Sequence, residues 1–83
     1  MNDDLLIASA GADLYRRGAL PANEDAAASA IAEHAAQYAA GNVWFPILSP
    51  QAAAELFQRD DIGLGGLGSA LKKAVKKVGS VVK

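Results

Sequence analysis

Apolar residues recur at helical spacing in four stretches of the chain, and glycine, proline or a capping residue marks each break between them. In the first stretch Leu6, Ile7, Ala10 and Leu14 share one side, while Leu5, Ala12 and Tyr15 make the opposite side less polar than a simple surface helix requires. This two-sided pattern predicts a helix over about 3–17 with more than one neighbour, capped by Asp3 or Asp4 and stopped by Gly18. After Pro21, Asn23 is a cap for a second helix over about 24–40, with Glu24 and Asp25 in its first turn and Gly41 beyond its end. Its face is Ala27, Ala28, Ile31, Ala35 and Tyr38, and its alanines both favour the helix and let another helix approach closely. Val43 to Leu48 breaks the pattern: β-branched and aromatic residues followed by Pro46 predict an extended segment. Ser49-Pro50 then opens a third helix over about 50–60, with Ala53, Leu56 and Phe57 inward.

Four glycines between Gly63 and Gly68 interrupt the chain again. From Leu67 onward, Leu71, Ala74, Val75, Val78, Val81 and Val82 form one arc with Leu67, and the lysines lie opposite. The expected fold class is therefore mainly α. An Ala-rich helical body over 1–61 contains the extended segment, a glycine-rich linker covers 62–68, and a cationic amphipathic helix covers 69–83.

Composition narrows the picture. Of 83 residues, 19 are Ala and only 20 are Leu, Ile, Val or Phe, so the core is thin and each alanine adds little buried area. Cysteine is absent and histidine occurs once, which excludes disulfides and the usual zinc ligand sets. The net charge of −1 conceals a division: residues 1–61 carry nine acids against three arginines, a net of −6, whereas residues 62–83 carry five lysines and no acid. That asymmetry can direct the tail toward an anionic membrane, nucleic acid, an acidic protein surface or the acidic body of another copy. Met1-Asn2-Asp3-Asp4 is acidic where a signal peptide is positive, and no window offers the roughly 20 apolar residues of a bilayer span.

Candidate chemistry is sparse. The run Gly63-Leu64-Gly65-Gly66-Leu67-Gly68-Ser69 lacks both the order and the strand-to-helix setting of a phosphate loop. His34 has no nucleophile motif beside it, and a surface or packing role is expected for it. Glu24-Asp25 and Asp60-Asp61 have structural reasons to sit at helix ends, and Arg16-Arg17 complements the first helix's dipole. No catalytic, cofactor-binding or metal-binding residue is assigned, no cofactor is expected, and the chain reads as non-enzymatic.

Binding is the better-supported class. Trp44 and Phe45 are either folded across the helices or offered to a partner. The tail has three receivers. A partner groove would take Leu67, Leu71, Val75 and Val78, with Lys72, Lys73, Lys76 and Lys77 at its rim. An anionic membrane would be met by the lysines, although the tail lacks aromatic anchors. Docking onto the chain's own body is the third. Specific nucleic-acid binding is not expected, because no base-reading motif accompanies the lysines.

With its Ala-rich acidic body, VWFPILSP and GLGGLGSALKKAVKKVGSVVK, the chain resembles small accessory virion proteins of tailed phages and related particles. The resemblance is carried best by residues 62–83. It implies a structural component of a virion or intracellular assembly, docked to protein, or to further copies of itself, through the C-terminal helix. The same alternation of glycine, lysine and small apolar residues occurs in membrane-binding tails, so a membrane-active or membrane-surface protein at the membrane periphery is the alternative.

Overall fold

The computed structural model describes residues 3–58 and 67–81. Four helices follow in chain order: α1 (Asp3–Arg16), α2 (Glu24–Ala39), α3 (Pro50–Gln58) and α4 (Leu67–Val81). No strand occurs among the described residues, and 43–49 is irregular backbone.

The helix ends follow from local chemistry. Asp3 and Asp4 occupy the first turn of α1. At its other end Gly18 adopts φ +69°, and the Ala19 amide donates to the Leu14 carbonyl at 2.9 Å while the Gly18 amide donates to that of Tyr15 at 3.1 Å. Gly41 closes α2 in the same way at φ +83°, with Asn42 donating to the Gln37 carbonyl at 2.9 Å. Both glycines provide the left-handed residue that satisfies otherwise orphaned carbonyls. The Asn23 side chain accepts from the Ala26 amide at 3.0 Å, and Ser49 Oγ accepts from the Ala52 amide at 3.2 Å, so these two expected caps are made, whereas Asp3 and Asp4, expected to cap α1, lie inside its first turn.

Helix α1 contacts all three other helices, which accounts for its two-sided apolar pattern. The core joins Leu6, Ile7 and Ala10 of α1 to Ala27, Ala28, Ile31 and Ala35 of α2, together with Phe45, Ala70, Leu71 and Ala74.

Helix α4 is part of this body. It packs most extensively against α2, and Leu71 is 0% exposed. Val75 and Val78 are partly buried against the same core. Of the arc expected to reach a partner, Leu71, Ala74, Val75 and Val78 are thus taken up by the chain itself. The physical reason lies in α2: its alanines admit a close neighbour but cover little area themselves, so α4 adds to the cover that α1 gives this core. The expected linker 62–68 falls mostly on 59–66, outside the described residues, and its last two positions, Leu67 and Gly68, already belong to α4.

Candidate protein-docking site

The segment after α2 runs extended, so consecutive side chains leave on opposite sides. Phe45 turns inward and is 1% exposed, whereas Trp44 turns outward and is 71% exposed. Val43 and Ile47 are exposed beside it. Of the two aromatics offered as partner-binding residues, Phe45 is a core residue and only Trp44 is free to meet another molecule. Trp44 borders an open hollow of about 470 Å³ lined also by Tyr38, Gly41, Asn42 and Val43.

Two anchors hold this segment. Phe45 lies against the His34 ring, with centroids 4.8 Å apart and 27° between planes, and against Tyr38 at 4.6 Å and 36°. Three residues later the Leu48 amide donates to Ser9 Oγ at 2.8 Å, and Ser9 itself donates to the Leu5 carbonyl at 2.7 Å. Ser9 is buried in α1, where a hydroxyl requires such partners.

The His34 ring is oriented in turn by Asp13, another buried polar residue of α1. His34 Nε2 lies 2.9 Å from Asp13 Oδ2; Arg17 Nε is 2.9 Å from that same oxygen, and Arg16 Nη2 is 3.0 Å from Oδ1. Burial raises the Asp13 pKa, but hydrogen bonds from His34 and Arg16 and the charge of Arg17 more than reverse this and hold it below the ordinary carboxylate value. An ionised Asp13 can only accept, so Nε2 carries the proton and donates. Asp13 therefore joins α1 to α2 and, through the imidazole, steadies the ring on which Phe45 rests. Both polar groups with catalytic potential here, the imidazole Nε2 and the Ser9 hydroxyl, are bound to structural partners.

Helix α4 presents a different surface. Lys73 Nζ is 2.7 Å from both Glu24 Oε2 and Asp25 Oδ1, at the start of α2. These bonds lower the Asp25 pKa and raise that of Lys73, on a solvent-exposed rim where the charges are screened. Lys72, Lys76 and Lys77 are exposed, and none is ion-paired with a described acidic side chain. The structure therefore divides the expected partner-binding set. Trp44, Lys72, Lys76 and Lys77 are exposed, Lys73 is paired, Phe45 and Leu71 are in the core, and Val75 and Val78 flank it. The side chain of Leu67 lies outside the described set.

Asp13 and Ser9 were not singled out from the sequence. Asp13 had a signal, since Arg16 and Arg17 follow it at the i+3 and i+4 spacings that meet on a helix. Ser9 had only its position within an apolar run. Among the described residues, no three His, Cys, Asp or Glu side chains could together hold a metal ion, and no helix is long and apolar enough to cross a membrane. Comparison with protein-family models, with curated proteins and with solved structures finds no match.

Proposed function

We propose that this protein is a non-enzymatic accessory component of a macromolecular assembly, of the kind found in virions, and that it docks to protein through Trp44 and its neighbours Val43 and Ile47. The observation that carries this reading is the 71% exposure of the chain's single tryptophan on a segment anchored at both Phe45 and Leu48. An exposed indole on a held backbone costs little conformational entropy to bind, which is why Trp dominates protein contacts. The engagement of Leu71 within the body moves the proposed contact from the C-terminal helix to this segment. Cationic amphipathic character of α4 enters the reading through Lys72, Lys76 and Lys77, which form a polar face that steers association without forming the apolar anchor.

A photo-crosslinking residue placed at the exposed position 47 of the full chain, with Trp44 intact, in cells or particles that contain it, tests the proposal. A discrete protein adduct from position 47 that is lost on Trp44→Ala, and none from the exposed Glu33 position, is the expected result. No adduct at 47, or one that survives Trp44→Ala, refutes docking through Trp44.

The same three lysines favour a second reading, attachment to an anionic membrane surface. Sedimentation of the full chain with phosphatidylserine vesicles, abolished by replacing Lys72, Lys76 and Lys77 with Gln and indifferent to Trp44→Ala, would establish it in place of the first.

A further inference from the structure

Among the described cations, Arg16, Arg17 and Lys73 are drawn to carboxylates, whereas Lys72, Lys76 and Lys77 pair with no described carboxylate. At about 100° per residue the four lysines of α4 fall within about 140° of one another, so they share one side of the helix. Lys72 and Lys76 lie one turn apart, about 6 Å along the axis. The acids that meet this side are Glu24 and Asp25, which Lys73 engages at 2.7 Å, and Asp25 also feels the charge of Lys77. Four lysines against two acids leave the face net positive, and α4 itself contains no acid.

What such a face can hold follows from what α4 has already buried. Ala70, Leu71 and Ala74 are in the core, and Val75 and Val78 lie partly buried against it. An interfacial membrane helix binds by sinking an apolar face into the lipid boundary, and here that face is turned into the protein. A protein interface has an apolar or aromatic centre and is depleted in lysine. No aromatic residue occurs in α4. The phosphate backbone of a nucleic acid requires neither feature, because cations alone bind it by releasing its counterions. Nucleic-acid interfaces are accordingly polar and strongly positive.

We propose that the face of α4 bearing Lys72, Lys76 and Lys77 binds the phosphate backbone of nucleic acid without regard to sequence. The helix is already folded against the core, so only the lysine side chains themselves lose freedom on binding. This contact is independent of Trp44, and it gives the lysines backbone phosphates in place of the lipid headgroups of the second reading. Three cations neutralising about three phosphates of a duplex predict a slope of about −2.7 for log K against log salt. Affinity should therefore fall about 500-fold for a tenfold rise in salt, which makes the contact weak at ordinary ionic strength.

Fluorescence anisotropy of a labelled duplex of about 20 base pairs, titrated with the full chain between about 20 and about 200 mM salt, is the test. The expected result is binding with a slope between about −2 and −3, equal within about twofold for duplexes of unrelated sequence. Joint replacement of Lys72, Lys76 and Lys77 by Gln, in a chain still helical by circular dichroism, should lower affinity at about 20 mM salt by about tenfold or more. Replacement of the same three by Arg should retain it, and Trp44→Ala should leave it unchanged. The proposal is overturned by no binding at about 1 mM chain in the lowest salt, by a slope shallower than about −1, or by binding that survives the Gln replacement. Phosphatidylserine vesicles that outcompete the duplex at equal phosphate concentration also overturn it and assign the lysines to a bilayer. The crosslink from position 47 bears on docking through Trp44 alone, so the two proposals fail separately.

Discussion

Replacing Asp13 by Asn keeps the side chain's shape and removes its charge, so the loss can be worked out from its two hydrogen bonds and one ion pair. The carboxylate is 6% exposed, shares hydrogen bonds with His34 at 2.9 Å and Arg16 at 3.0 Å, and is ion-paired with Arg17 at 2.9 Å. A hydrogen bond to a charged group contributes about 1.5–3 kcal/mol when shielded. The Arg16 and Arg17 side chains are more than half exposed, so solvent screening reduces each of their bonds to about 0.5 kcal/mol. The His34 bond, largely shielded, retains about 1.5–2 kcal/mol, and Asn must also turn an amide donor toward one of the donors it replaces. The expected loss is about 2–3 kcal/mol, a large share of the roughly 4–12 kcal/mol expected for a chain of this size. Urea unfolding followed by circular dichroism at pH 7 should show a lower midpoint with unchanged slope.

The pH dependence supplies an independent check. A carboxyl group whose pKa is lowered in the folded state contributes stability above its unfolded value, near 3.8, and that contribution is lost as pH falls through the folded value. Asp13→Asn should therefore differ most from wild type at neutral pH and converge with it below the ordinary carboxylate range. A midpoint within about 0.5 kcal/mol of wild type at pH 7, or a difference that persists at the lowest pH, would refute the ion cluster as a stabilising clamp.

Two further substitutions test the packing and the turn geometry. Leu71→Ala removes a fully buried side chain between α4 and its neighbours and should cost about 2–5 kcal/mol in the same unfolding experiment; an unchanged midpoint would detach α4 from the core. Gly41→Ala meets no atom within 4 Å of the added Cβ, so its cost should be the left-handed backbone strain alone, about 1–2 kcal/mol, and a neutral result would contradict the positive φ at this helix end.

Local chemistry made the helices legible. Gly18, Gly41, Asn23 and the pair Ser49-Pro50 act on amides and carbonyls a few residues away, so their meaning does not depend on what the helix later packs against. The apolar positions of α2 were legible for a similar reason, since their spacing alone puts Ala27, Ala28, Ile31 and Ala35 on one side. The receiver of an apolar arc has no such local signature. Leu71, Val75 and Val78 show the same spacing whether they enter a partner's groove or the chain's own core, and only the packing of α4 against α1 and α2 decided between them. The docking site divides in the same way. Val43-Trp44-Phe45 marked a concentration of large apolar groups, but which aromatic turned inward depended on His34 and Tyr38 waiting beneath it. Asp13 and His34 are 21 positions apart, and no periodicity links them. Their bond exists because α1 and α2 pack side by side, so the orientation of the docking segment was a decision of tertiary structure, made where the buried Asp13 carboxylate meets the partly buried His34 ring.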